Sequence, residues 1–185
     1  NKSYAADIFL HIGDIRDAKS LSKWVDKAQP EIVFHLAAQP LVRESFVNPI
    51  YTWDVNVMGS LLLLESLKQI KHKCSVVMVT TDKVYLNKEK EEGYDEKDQL
   101  GGIDPYSSSK AAAELAIASW RSSFCGFDSH QKTNLKIATA RAGNVIGGGD
   151  WSKDRIMPDI INSLILNQTI PVRNPNSKRP WQHIL

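Results

Sequence analysis

Cysteine is scarce in this 185-residue chain: Cys74 and Cys125 are the only two, and they form neither a disulfide framework nor a metal-ligand spacing. An excess of one charge sign is also lacking. Twenty-three basic residues face 21 acidic ones for a net +2, with no basic block of the kind that binds nucleic acid. Long apolar runs are missing too. The longest is Leu61-Leu62-Leu63-Leu64, far short of the roughly 20 residues of a membrane span. No basic stretch, apolar stretch and cleavage site follow one another at the N-terminus, so a secretory signal is not expected. Together these absences predict a cytoplasmic protein with no nucleic-acid, membrane or metal partner. No G-x-G-x-x-G stands ahead of Asp7, and neither repeats nor low-complexity segments occur.

What is present is ordinary globular composition, 42% hydrophobic and 24% charged, in a chain long enough for one substantial core. Strand and helix patterns alternate along it. Asp7 to Ile12 predicts a short strand ending at Gly13-Asp14. Asp17 can cap a helix over Lys19 to Ala28, which Pro30 stops. Glu31 to Leu36 predicts a strand leading into Ala37-Ala38. Asn48-Pro49 then opens a helix to about Lys71, with Trp53, Val57, Leu61, Leu64 and Leu67 near a 3.6 period. Cys74 to Val79 predicts a buried strand, and Lys88 to Gly102 a charged surface excursion. Pro105 starts a helix to about Phe124, and Leu135 to Ala140 is a further strand. A Gly-rich loop follows, then a helix over Met157 to Leu166 and a short strand over Ile170 to Arg173. Strands separated by helices imply crossover connections and a doubly wound parallel α/β sheet. Such sheets bind ligands beyond the C-terminal ends of their strands. Asp14, Ala37-Ala38, Thr80-Thr81-Asp82 and Ala142-Gly143-Asn144 all fall at such ends, which points to one composite site.

Within that site the sharpest feature is Thr80-Thr81-Asp82-Lys83 followed by Tyr106-Ser107-Ser108-Ser109-Lys110. Tyrosine and lysine four residues apart lie on one helix face. A phenol titrating near ~10 is a poor base at neutral pH, and a neighbouring cation favours the phenolate. Tyr-x-x-x-Lys also arises by chance in many helices, and Asp82-Lys83 alone reads equally as a solvated turn. The order of strand, polar cluster, loop, then Tyr and Lys is what favours a proton-transfer device. Gly147-Gly148-Gly149 lacks the spacing of a nucleotide fingerprint and reads better as a turn in a substrate loop than as a phosphate cradle.

These motifs resemble, in order, the extended short-chain dehydrogenase/reductase family: Gly13-Asp14-Ile15-Arg16-Asp17, His35-Leu36-Ala37-Ala38-Gln39, Thr80 to Lys83, Tyr106 to Lys110 and Arg141 to Gly147. Three stretches narrow the resemblance to its CDP-glucose 4,6-dehydratase branch. They are Thr81 to Tyr85, Ala140 to Trp151 and Arg179 to His183. The resemblance implies a Rossmann-like NAD-binding domain over residues 1–142 and the start of a sugar-nucleotide region over 143–185. It implies catalytic roles for Thr81, Asp82, Lys83, Tyr106 and Lys110. Cofactor contacts fall to Asp14, Ile15, Leu36, Ala37, Ala38, Thr80, Tyr106, Lys110 and Ala142, and substrate contacts to Gln39, Asn144, Arg155 and Arg179. A homodimer through the helices from Asn48 to Lys71 and from Pro105 to Phe124 is also implied, as is service to dideoxysugar supply for surface polysaccharide.

The implied reaction is an internal redox dehydration of CDP-glucose, with NAD returned unchanged. Tyr106 takes the C4 hydroxyl proton, and Asp82 protonates the oxygen leaving C6. Lys83 stands where better-known 4,6-dehydratases carry a glutamate as C5 base. It can be that base only when neutral, with a pKa well below ~10.4, or it can merely stabilise the enolate. A nucleotide-sugar 4-epimerase on the same scaffold would need Tyr106 and Lys110 but no acid at Asp82, and a non-catalytic NAD-binding relative commonly lacks the tyrosine or the lysine. The family's glycine-rich loop and first two strands have no counterpart here. The resemblance therefore predicts a longer parent protein, and poor folding and NAD binding for this stretch alone.

Overall fold

The computed structural model describes residues 8–125 and 134–184. Helix α1 (Ala18–Ala28) begins at Asp17, whose carboxylate accepts from the Ser20 amide at 3.0 Å. It ends at Gln29 in the left-handed conformation. Strand β1 (Ile32–His35) leads to α2 (Val42–Val47) and then to a composite helix. That helix runs through α3 (Pro49–Trp53), a π turn (Asp54–Met58) and α4 (Gly59–Leu67). Strand β2 (Cys74–Thr81) passes into a 3-10 turn (Asp82–Val84), and α5 (Pro105–Phe124), β3 (Leu135–Ala142), β4 (Asn144–Ile146), α6 (Ile156–Ile165) and β5 (Trp181–His183) complete the order.

Strands β1, β2 and β3 form a parallel sheet in that order, so the α/β architecture is the one expected. Alternate residues of β2 and β3 (Cys74, Val76, Met78, Leu135 and Ile137) face a core built with Leu63, Leu64, Leu67, Ile70, Ala113, Ile117 and Val25. Ile32 and Phe34, on the opposite face of β1, are largely exposed. The register sets Thr80 opposite Arg141 and Thr81 opposite Ala142. The C-terminal ends of both strands are thereby brought level.

Several sequence expectations are corrected. Residues 8–12 are not a strand, and Asp7 lies outside the described residues. A strand needs neighbouring backbone partners, and Ile8, Phe9, Leu10 and Ile12 are instead more than 80% exposed. Residues 170–173 are irregular. The helix expected from Asn48 to Lys71 stops at Leu67 and is interrupted by the π turn. Strands β2 and β3 each run two residues past their expected ends. The parallel pair β4–β5 is new, being too short for a periodic signal. Its approach depends on Gly143, where a Cβ would lie 2.8 Å from Pro180 Cγ and 2.9 Å from its carbonyl. Gly102 is constrained more tightly still: a Cβ there would come within 2.4 Å of the backbone at Ser107 and Ser108. This glycine lets the excursion return flush against the start of α5.

Candidate active site

The first turn of α5 is fixed by a capping box. Asp104 accepts from the Ser107 amide at 2.9 Å, the Ser107 hydroxyl closes back on the Asp104 amide at 3.2 Å, and Pro105 takes the first helical position. Tyr106 follows at once, and its amide donates to Ser45 Oγ at 3.2 Å. Both Tyr106 and Lys110 are buried, 8% and 7% exposed. The Lys110 ammonium makes a long hydrogen bond of 3.4 Å to the Val79 carbonyl. Burial drives its pKa down to about 8, against the opposing pull of Glu114. Lys110 is therefore still mostly charged at neutral pH.

Strand β2 delivers the other groups. The Thr81 hydroxyl donates to Asp82 Oδ1 at 3.1 Å and caps the 3-10 turn by accepting from the Lys83 amide at 3.4 Å. It also faces the Tyr106 phenol and pulls that pKa down. Burial is the larger effect, however, and leaves the phenol above its usual value. A neighbouring cation does favour the phenolate, as expected, but not by enough. Desolvation wins, and the cation chiefly opposing it is Arg155. Lys83 Nζ lies 5.8 Å from the centroid of the Tyr106 ring. Burial first, then Arg179, pushes the Lys83 pKa below that of an ordinary lysine, while Asp82 and Asp104 oppose the shift. Arg155 acts on Lys83 as well, so cations converge on the Lys83–Tyr106 pair.

Not every expected site residue faces this cluster. Gln39 is buried, and its amide is consumed internally, donating to Thr52 Oγ1 at 2.8 Å and to the Leu41 carbonyl at 3.1 Å. Its Oε1 accepts from the Leu41 amide at 2.6 Å. It shapes the loop after β1 rather than presenting its side chain to a ligand. The Thr80 hydroxyl is likewise taken, by Glu114. Asp14 is clamped by Arg16 at 2.6 Å, which draws its pKa down to about 2. Arg16 also reaches Asp54 at 3.2 Å in the π turn, and Ile15 packs against Gly59, so these residues form a cluster of their own. Leu36 and Ala37 are exposed and Ala38 half-buried just beyond β1. The Asn144 amide donates to the Pro180 carbonyl at 2.9 Å. Arg155 leans on the Pro40 carbonyl at 3.5 Å, with its buried Nε unpartnered. Arg179 is exposed, its guanidinium donating to the neighbouring Lys178 carbonyl.

Three important residues escaped sequence reasoning. Asn56, in the π turn, accepts from the Gln39 amide at 2.8 Å and donates to Ser109 Oγ at 2.9 Å, tying the loop after β1 to α5. Its signal was a polar residue within an apolar helical pattern, and π turns recur at functional sites. His35 is the second. Ser60 spends its proton on the Asn56 carbonyl at 2.7 Å, so His35 Nε2, 3.0 Å from Ser60 Oγ, must be the donor. Burial and Lys110 lower the His35 pKa to about 4, keeping the ring neutral. Glu114 is the third, spaced four residues beyond Lys110 on the same helix face.

A parallel sheet with a threonine at one strand end, beside a buried tyrosine and lysine on a capped helix, is the arrangement expected of a short-chain dehydrogenase/reductase. The chain belongs to the GDP-mannose 4,6 dehydratase family, whose profile matches residues 1–184. It is 51% identical to the CDP-glucose 4,6-dehydratase of Salmonella typhimurium over 175 residues, 95% of this chain and 49% of that protein. Among solved structures, the dTDP-glucose 4,6-dehydratase of Streptomyces venezuelae, determined with NAD bound, superposes at a TM-score of 0.76. It is 24% identical, with 92% of this chain and 49% of that one covered. The UDP-glucose 4-epimerase of Thermotoga maritima also gives 0.76, at 20% identity over 94% of this chain and 54% of that one. At these identities the two structures speak to the fold alone. The chain spans about half the length of the curated relative and solved structures named here.

Proposed function

We propose that the protein carries out the NAD-dependent 4,6-dehydration of CDP-glucose, releasing water and a CDP-4-keto-6-deoxy sugar. The observation that carries this reading is the meeting of Tyr106, Thr81, Asp82 and Lys83 within the electrostatic reach of Arg155 and Arg179. A 4-epimerase needs the tyrosine and lysine, whereas an acid and a candidate base added at the end of β2 suit an elimination.

Residues 1–142 are read as the cofactor-binding domain and 143–185 as the start of the sugar-nucleotide region. The residues present fit NAD. Small side chains at Ala37 and Ala38 leave the end of β1 open, and Lys110 retains donors for a ribose hydroxyl. Asp14, Ile15, Leu36 and Ala142 complete the set we assign to it. When bound, NAD supplies reversible storage of the hydride.

Tyr106 accepts the C4 hydroxyl proton, with the Thr81 hydroxyl as its hydrogen-bond partner. Lys83, disposed by desolvation toward its neutral form, removes the C5 proton made acidic by the 4-ketone. Asp82, protonated from Tyr106 through Thr81, gives its proton to the C6 oxygen, which departs as water, and Lys83 returns its proton to C5 as the 6-deoxy product forms. The guanidinium forks of Arg155 and Arg179 suit the diphosphate oxygens, and Asn144 is assigned to the sugar nucleotide. Exposed Trp53, Met58 and Leu115 support a homodimer through the composite helix and α5. A cytoplasmic location is in keeping with a water-soluble substrate of this class.

Incubating the full-length protein with CDP-, dTDP-, GDP- and UDP-glucose tests the reading. A 4-keto chromophore in base with CDP-glucose, and at least about tenfold higher kcat/KM than with the others, is expected. A 4-epimer without ketone would contradict it.

A further inference from the structure

One buried carboxylate is left unassigned by this mechanism. Glu114 is 4% exposed and lies on the α5 face that carries Tyr106 and Lys110. Its Oε1 accepts from Thr80 Oγ1, and its Oε2 accepts from Thr139 Oγ1 at 3.1 Å and Arg141 Nη2 at 3.0 Å. A single side chain therefore binds helix α5 to both β2 and β3.

What makes those contacts informative is where they fall. Thr80 and Arg141 are register partners. Thr80 immediately precedes Thr81-Asp82-Lys83, and Arg141 immediately precedes Ala142-Gly143-Asn144. The Arg141 guanidinium also covers the Tyr85 ring, 4.9 Å from its centroid, and Tyr85 follows directly on the Asp82–Val84 turn. Tyr85 in turn stacks on Tyr94 of the 88–102 excursion at 5.0 Å. The column Glu114–Arg141–Tyr85–Tyr94 thus runs from the helix with the tyrosine–lysine pair to the turn with the acid and the candidate base.

We propose that Glu114 is a positioning residue: its carboxylate fixes the helix bearing Tyr106 and Lys110 against the strand ends bearing Thr81 to Lys83 and Ala142 to Asn144. The proposal rests on the dehydratase reading for its substrate, though not for its geometry. Burial would favour the neutral acid, but the charged hydrogen bond from Arg141 and those from the threonines hold the carboxyl below its usual value and hence ionised. Lys110 is faced by Glu114 from its own helix, which favours its charge, and by His35 from β1, a ring that burial and Lys110 keep neutral.

Displacing catalytic groups by about 1 Å costs on the order of 100-fold in rate. In the full-length enzyme, Glu114→Gln is therefore expected to lower kcat about 100-fold with KM changed by less than about threefold. Lysine-ε NMR, with Lys110 assigned by its loss in Lys110→Met, should show Lys110 titrating below about 8 in Glu114→Gln. Thr80→Val, which removes one tie and keeps the buried ion pair, should lose kcat in the same direction to a smaller extent. It serves as the probe if Glu114→Gln fails to fold. Soluble variants with lowered melting temperature but unchanged kcat and unchanged Lys110 titration would overturn the proposal. If wild type makes no 4-keto product while the Lys110 titration still shifts in Glu114→Gln, the dehydratase reading fails and the positioning role stands.

Discussion

Tyr106→Phe is expected to lower kcat for 4-keto sugar formation by about 10³-fold in the full-length protein, with KM for the nucleotide sugar held within about threefold. The substitution is a clean one because almost everything else about the residue survives it. The ring remains beneath Lys83, the amide still meets Ser45 Oγ, and the capping box at Asp104 is untouched. Only the phenol oxygen is lost, with its closeness to Thr81. Burial holds that phenol above its usual pKa, so the proton is not shed spontaneously at neutral pH and must leave through neighbours. Thr81 is the structural candidate, because its own proton already points to Asp82. Steady-state kinetics alongside a thermal melt checks the claim. A kcat within about tenfold of wild type, in a variant of unchanged stability, would remove Tyr106 from the proton-transfer role.

Lys83→Met is expected to abolish exchange of the C5 proton of a 4-keto substrate analogue in deuterated water, a loss of about 10³-fold or more. A base must be unprotonated to act. Wild-type exchange should therefore be full above the Lys83 pKa and fall about tenfold for each pH unit below it. Because desolvation, Arg179 and Arg155 all push that pKa below 10.5, the limb should lie nearer neutrality than for an ordinary lysine. Arg179→Leu removes a cationic neighbour and should move the limb to higher pH. Exchange at the wild-type rate in Lys83→Met would leave Lys83 only the task of stabilising the enolate.

Much of this was legible in the sequence because its carriers are local. Asp17 and Pro105 announce helix starts, the apolar run from Cys74 announces β2, and the four-residue spacing from Tyr106 to Lys110 puts both on one face. What stayed hidden depends on partners distant in the chain. The fate of residues 8–12 turns on whether a neighbouring strand exists, which alternation alone cannot say. Gln39 sat in the right motif, yet whether its amide meets a ligand or Thr52 is decided by the fold of the composite helix. Glu114 read as one more helical glutamate until Thr80, Thr139 and Arg141 arrived from two strands. The Lys83 environment illustrates the same limit. Desolvation was foreseeable, but the neighbouring cations, Arg179 and Arg155, come from far along the chain.

The central claim, that this site moves a hydride within one sugar while eliminating water, is tested most directly by isotope. Full-length enzyme incubated with CDP-[4-²H]glucose in ordinary water should deliver the deuterium to the C6 methyl of a 4-keto product. Deuterium found at C4 of an unketonised sugar, or lost to solvent without appearing at C6, would contradict the account.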